Sequence, residues 1–248
     1  MKLTVFGASG LIGTKVVDLL TAAGHETVAA SRSTGADVLT GEGLADALAG
    51  ADALIDVVNS PSFEDEPVLQ FFSTSTTNLA AAAKTAGVGH YVVLSIVGAD
   101  GLPVSGYMRA KVVQEKTIVD SGIPYSAVRA TQFDEFAEAI TGSLVVGDEV
   151  RVPDGLIQLI AADDVAAEVA RVAVGPPLGG IVNIGGPDKM SFAEMASAVV
   201  AKRGDDLTVV VDPRATYFGT LVDEEHTLVT SDDGVLAPTR FTDWLAAR

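Results

Sequence analysis

The chain has 248 residues, 48% of them hydrophobic, which suits one large α/β domain or a nucleotide-binding domain with a small second lobe. A formal charge of −17 argues against nucleic acid and anionic membrane as partners, because both demand a basic surface. With no cysteine there is no disulfide framework, thiolate metal site or thiol nucleophile, and no apolar run reaches the ~18 residues of a membrane span.

The first predicted element is the strand Lys2-Leu3-Thr4-Val5-Phe6. Its apolar stretch is too short for a signal peptide, and a cytoplasmic protein is expected. Gly7-Ala8-Ser9-Gly10-Leu11-Ile12-Gly13 follows, and from Leu11 the apolar residues recur at helical spacing (Ile12, Val16, Leu19, Leu20, Ala23). Strand, glycine turn and helix in this order form a mononucleotide-binding unit. Gly7 permits the tight exit from the strand, Gly10 lets a pyrophosphate approach the backbone, and Gly13 lets the helix pack closely. Gly7, Ser9, Gly10, Leu11, Ile12 and Gly13 are therefore candidate cofactor-binding residues, with N–H groups of the helix start facing the phosphates.

The second strand, Glu26 to Ala30, ends in Ser31-Arg32-Ser33. An NAD-preferring site usually has an acid there for the ribose hydroxyls. Arg32 between two serines suits a 2′-phosphate instead, through the planar fork of its guanidinium. NADP(H) is therefore expected in preference to NAD(H). Asp37-Val38 reads as a short third strand, and Gly43 to Ala49 as a short helix. Ala53 to Val58 is a near-continuous apolar run, as expected of a strand covered on both faces. Val58, Asn59 and Ser60 close it at the carboxyl edge, where ligands bind in open α/β sheets. A long helix from Pro67 to Ala86 turns Val68, Phe71, Phe72, Leu79, Ala82 and Ala83 inward. The strand Tyr91 to Ser95, a helix holding Tyr107 to Val119, and the strand Pro124 to Arg129 follow.

Beyond Arg129 the alternation loosens. Asp163 is expected to cap a helix from Asp164 to Val174, Ile181 to Ile184 to form the last sheet strand, and Thr239 to Ala247 to form a terminal helix docked through Trp244 and Leu245. The expected fold is α/β, a Rossmann-type doubly wound parallel sheet with a small C-terminal substrate lobe. Residues 1–130, with the strand near 181–184 and the helix 164–174, form the core; residues 131–160 and 186–248 form the lobe. His25, His90 and His226 make no ligand pattern, and no metal site is expected; each reads as a surface or loop histidine.

Tyr107-Met108-Arg109-Ala110-Lys111 is the second decisive stretch. Tyr and Lys four apart share a helix face. An ammonium near a phenol favours phenolate and is expected to bring its pKa down from about 10. Such a tyrosine can give or take a proton at a carbonyl or alcohol.

Gly-x-x-Gly-x-x-Gly followed by Tyr-x-x-x-Lys resembles the short-chain dehydrogenase/reductase superfamily. The stretches Tyr107 to Glu115, Ser121 to Phe133 and Phe241 to Leu245 narrow the resemblance to its atypical, NmrA-like NAD(P)-binding members. The resemblance implies an NADP-type cofactor along the strand ends, with Asp37 near the adenine. It makes Tyr107 the acid/base and Lys111 the ribose-holding residue that tunes it. Ser95 would polarise the substrate carbonyl, although in extended members that hydroxyl lies one or two residues later, where Ile96 and Val97 stand here. A strand-end hydroxyl bonded to backbone is the other reading of Ser95. Phe133, Phe136 and Tyr217 are candidates to line an apolar substrate pocket or to pack in the core.

The function expected is NADPH-dependent reduction of a small carbonyl, enone or quinone compound, in a monomer or homodimer. A cofactor-sensing regulator without turnover and an NAD-dependent epimerase or dehydratase are the alternatives.

Overall fold

The computed structural model describes residues 1–222 and 228–248. In chain order its first half runs β1 (Lys2–Phe6), α1 (Leu11–Ala22), β2 (Glu26–Ala30), α2 (Leu44–Leu48), β3 (Ala53–Asp56), α3 (Asp65–Ala86), β4 (His90–Ile96), α4 (Gly106–Ser121) and β5 (Tyr125–Ala130). There follow α5 (Ala137–Ser143), β6 (Val145–Val146), β7 (Glu149–Val152), β8 (Leu156–Ile157), α6 (Ala162–Val174), β9 (Gly180–Gly185) and β10 (Met190–Ser191). The last elements are α7 (Phe192–Arg203), β11 (Thr208–Val211), β12 (Val235–Leu236) and α8 (Phe241–Ala246).

Seven strands form a parallel sheet in the order β12-β9-β5-β4-β3-β1-β2. The expected Rossmann-type α/β fold is thus present. The order reverses at β1, which pairs with β2 on one side and β3 on the other. Ligands in open α/β sheets bind outside the carboxyl ends of strands at such a switch point.

Two sheet expectations are corrected. Asp37-Val38 is not a strand, and β2 is the edge. Asp37 Oδ1 accepts from the N–H groups of Leu39 (2.8 Å) and Thr40 (3.3 Å), a side-chain turn that competes with extended pairing. At the other edge β12 adds beyond β9 through Val235 opposite Ile184, so the strand at 181–184 is not the last.

The chain divides into two compact units. The first comprises Met1–Ser95, Gly106–Arg129 and Val165–Val182. Its core gathers Phe6, Leu54, Leu79, Tyr91, Val93, Ile118 and Ala127. Every residue of β3 is buried, which explains its unbroken apolar pattern up to Asp56. On α3, Val68, Phe72, Leu79 and Ala83 are buried as their spacing requires, whereas Phe71 and Ala82 are only half-buried. Gly87 ends that helix in the left-handed conformation, φ 71°, which glycine adopts without strain. His25 is half-buried, while His90 is buried, with Nε2 2.8 Å from Ser126 Oγ; desolvation pushes its imidazole down. His90 is thus a core histidine rather than a surface one, and His226 lies outside the described residues. Arg129 grips Glu115 through two hydrogen bonds of 2.9 and 2.7 Å in a nearly buried pair.

The second unit comprises Ile96–Ser105, Ala130–Asp164 and Asn183–Arg248. It contains the three-stranded sheet β11-β7-β6 and the antiparallel pair β10-β8. The helix expected at Asp164 starts two residues earlier, and its cap is not Asp163: the Ala162 N–H donates to the Glu135 carboxylate at 3.1 Å. Gln158 is buried, donating to the Gly186 carbonyl (2.6 Å) and accepting from the Thr230 N–H (2.8 Å). Leu245 is buried on α8, and half-buried Trp244 carries the Arg248 guanidinium over its ring at 4.2 Å.

Candidate functional site

The glycine turn is built as a close junction. Gly7 has φ +84°, and a Cβ on it would lie 2.7 Å from the Val57 carbonyl oxygen. A Cβ on Gly13 would lie 2.0 Å from the Gly7 carbonyl oxygen, so α1 sits directly on the turn. Gly10 differs. It is extended (φ −86°, ψ 176°), exposed, and a Cβ there would meet only the Gly7 oxygen, at 3.3 Å. Gly10 caps α1 and, being glycine, offers no side-chain acceptor to the N–H groups of the first turn, which a helix leaves without intrahelical partners. An exposed glycine at a helix start, with no side chain to cap the first-turn N–H groups, fits a pyrophosphate. Ser9, Leu11, Ile12 and Gly13 occupy this same turn and helix start.

Past β2, Ser31 caps a single 3₁₀ turn, Arg32–Thr34, with its Oγ 2.8 Å from Ser33 Oγ. Arg32 is exposed beside these hydroxyls. Asp37, expected near an adenine, uses one carboxylate oxygen to hold its own turn.

Tyr107 and Lys111 lie on α4 facing the end of β3. The Tyr107 phenol donates to Asn59 Oδ1 at 2.6 Å, and that oxygen also accepts from the Ser60 N–H at 2.9 Å. The Tyr107 ring packs edge-on against Phe72 (centroids 5.8 Å) and beside Phe63 (5.4 Å). Since Gly7 touches Val57 and Asn59 holds Tyr107, the loop after β3 joins the glycine turn to the tyrosine within one unit.

Lys111 departs from expectation. It is buried, its Nζ donates to the Leu94 carbonyl (2.8 Å) and to Gln114 Oε1, and it sits 4.5 Å from the Phe72 ring centroid. Burial pushes this ammonium down to about 8. Burial likewise pushes the Tyr107 phenol up to about 12. The expected lowering of Tyr107 by Lys111 is therefore corrected: the ammonium turns inward, and desolvation of the phenol dominates.

Ser95, one residue before the end of β4, is buried with no hydrogen-bond partner for its hydroxyl among the described residues, so the backbone-bonded reading does not hold. The aromatic candidates belong to the second unit. Phe133 stacks on Phe136 at 5.5 Å, Phe136 is exposed, and Tyr217 packs against Phe192 and Phe218. A surface groove of about 520 Å³ in that unit, bordered by Thr141, Val199 and Arg203, contains none of the sequence-derived candidates.

A family model described as NAD(P)H-binding matches residues 7–176, more than half of the chain. The chain belongs to this NAD(P)H-binding family. The sequence matches none of the curated proteins it was compared with. Among solved structures, a nucleoside-diphosphate-sugar epimerase from Staphylococcus aureus is 18% identical over 99% of both chains, with a TM-score of 0.75. MoeE5 in complex with UDP-glucose and NAD is 21% identical over 99% of this chain and 96% of its own, TM-score 0.73. A dTDP-4-dehydrorhamnose reductase from Clostridium acetobutylicum is 17% identical over 100% of this chain and 99% of its own, TM-score 0.72. At these identities the likenesses establish the shared fold. Among the described residues no helix is long and apolar enough to cross a membrane.

In this NAD(P)H-binding protein the sequence reading passed over four residues beside the tyrosine and lysine. Asp56 is fully buried, and its Oδ2 accepts from Tyr91 Oη (2.9 Å) and Gln114 Nε2 (3.0 Å). Burial pushes its carboxyl up, against the opposing pull of Lys111, and pushes the Tyr91 phenol up too. The available signals were an acid ending an apolar strand, and Gln114 three residues after Lys111 on one helix face. The fourth is Phe63, an exposed ring in the loop beyond Asn59.

Proposed function

We propose that the protein is an NADPH-dependent reductase of a small carbonyl, enone or quinone compound. The observation that supports this reading is the Tyr107–Asn59 hydrogen bond at 2.6 Å, which holds the Tyr107 hydroxyl of α4 against the loop that also abuts the glycine turn. The N–H groups from Leu11 to Gly13 would hold the pyrophosphate, with Gly10 leaving room for it. Arg32, Ser31 and Ser33 would hold a 2′-phosphate, which selects NADPH over NADH. Val58, Asn59, Ser60 and Lys111 complete the cofactor set, with Asp37 toward the adenine.

A bound nicotinamide supplies the hydride. Tyr107, protonated across the neutral range because its phenol is desolvated, delivers the proton to the reduced oxygen or carbon. To do so its hydroxyl leaves Asn59 for the substrate. Phe63 offers an exposed apolar ring beside the Tyr107 ring, which suits a planar, uncharged substrate. Ser95, next to the end of β4, has no hydrogen-bond partner for its hydroxyl among the described residues and is a candidate donor to the same oxygen. Phe133, Phe136 and Tyr217 remain candidates for substrate contact.

The inward hold on Lys111 favours a second reading, a cofactor-sensing regulator that does not turn over. The epimerases among the structural neighbours favour a third, an enzyme with retained NAD; Arg32, in place of an acid after β2, opposes it. The decisive experiment is a screen of quinones, enones and ketones followed by NADPH absorbance, repeated with NADH. Oxidation of NADPH with a carbonyl or enone substrate, slowed in Tyr107→Phe, supports the proposal. NADPH binding without turnover of any of them refutes it in favour of the sensor.

A further inference from the structure

We propose that Asp56 and Gln114 are positioning residues for Lys111: Asp56, acting through Gln114, fixes where the ammonium sits and keeps it charged. An ammonium removed from water is costly unless it is paired and hydrogen-bonded. The chain supplies both in one line. Lys111 Nζ donates to Gln114 Oε1, Gln114 Nε2 donates to Asp56 Oδ2 at 3.0 Å, and Tyr91 Oη donates to the same oxygen at 2.9 Å. The Val58 N–H reaches Asp56 Oδ1 at 3.2 Å. Gln114 is fully buried, and its amide is oriented by charge at each end, oxygen toward the ammonium and nitrogen toward the carboxylate. It therefore transmits the attraction of Asp56 while holding Lys111 over Phe72 and against the Leu94 carbonyl, one residue before Ser95.

Among the described residues the groups around Lys111 are few. Strand β3 contributes Asp56, and β4 contributes Tyr91, a phenol kept protonated by burial and by Asp56. On α4 itself stand Tyr107 and Glu115, the latter bound to Arg129 of β5. From α3 comes the Phe72 ring, while Asp65 of that helix is taken by Arg109. Asp56 and Glu115 both favour the charged form of Lys111, but Asp56 is the carboxylate joined to it by hydrogen bonds.

The consequence for the cofactor rests on the proposed reading of Lys111 as its ribose contact. The experiment separates the two claims by following Lys111 directly. In the ligand-free full chain carrying ¹³C-labelled lysine, the Lys111 ¹³Cε resonance, assigned by its loss in Lys111→Met, is titrated from pH 6 to 11. Wild type should titrate near the value that burial sets, about 8. Asp56→Asn, which keeps the shape and loses the charge, should lower the midpoint by about one unit or more, as loss of a nearby opposite charge does. Gln114→Met should lower it in the same direction by less, and this variant decides the matter if Asp56→Asn does not fold. NADPH affinity is then measured by calorimetry across the same range. It should fall with rising pH through each protein's own midpoint, leaving Asp56→Asn, for a one-unit drop, about fivefold weaker than wild type at pH 8 and nearly equal to it at pH 6. An unchanged midpoint in the variant that folds overturns the proposal, and so does a loss of affinity equal at every pH. A moved midpoint with unchanged NADPH affinity upholds the coupling and overturns the cofactor reading of Lys111 instead.

Discussion

Removal of the Tyr107 hydroxyl should separate the two directions of the proposed reaction by their pH dependence. The phenol is pushed up from its ordinary value of 10 to about 12 by burial against Phe72 and Phe63. At pH 8 it lies about four units below its midpoint, so roughly 10⁻⁴ of it is phenolate. Carbonyl reduction uses the phenol, which is almost wholly present up to pH 10, and Tyr107 should contribute no limb to that profile. Oxidation of the alcohol product uses the phenolate, and its Tyr107-dependent rate should rise about tenfold per pH unit, on the order of 10³ between pH 7 and pH 10. Initial rates well below saturation in both ligands report the free enzyme. The quantity to plot is the ratio of wild type to Tyr107→Phe, in which the titration of Lys111 cancels. With a ketone or enone the reduction ratio should be flat at about 10²–10⁴, the usual worth of general acid catalysis. A quinone should show a smaller ratio, because water can protonate its reduced form. An oxidation ratio that levels off near pH 7 would refute the argument, for it would mean that the phenol titrates near neutrality despite its burial.

Arg32→Ala should weaken NADPH by about 1.5–3 kcal/mol and leave NADH unchanged, a comparison for calorimetry; equal wild-type affinities for the two cofactors would remove the role of Arg32. Gly10→Val should keep its circular dichroism, since its Cβ would meet only the Gly7 oxygen, at 3.3 Å, and lose the NADPH-dependent rise in Tm, since its branched side chain would stand at the exposed helix start. Gly13→Ala should behave differently, losing about 1–3 kcal/mol in urea unfolding, because its Cβ would lie 2.0 Å from the Gly7 oxygen. Arg129→Met strands Glu115 in a nearly buried position and should cost about 3–5 kcal/mol in the same assay; a loss within experimental error would show that the pair contributes nothing net.

The strand–glycine–helix start, the long helix ending at Gly87 and the tyrosine and lysine of α4 were legible in the sequence. Each depends on local rules of backbone freedom and side-chain period that a short stretch carries by itself. The family followed from the same motifs. The sequence misread Asp37-Val38 as a strand because alternation is weak over two residues and a side-chain turn at Asp37 outcompetes pairing. It missed β12 for a related reason: two residues acquire strand geometry only from the partner β9 that other segments place beside them. The state of the catalytic candidates lay further out of reach. Spacing puts Tyr107 and Lys111 on one helix face, but their protonation depends on water exclusion and on groups far away in the chain. Tyr91 and Gln114, 35 and 58 positions after Asp56, meet it only through the order of the sheet and the helix packed on it, and Asn59 reaches Tyr107 across 48 positions. Local sequence determines which residues carry protons and charge; desolvation by the assembled core decides which of them hold on to those protons at neutral pH.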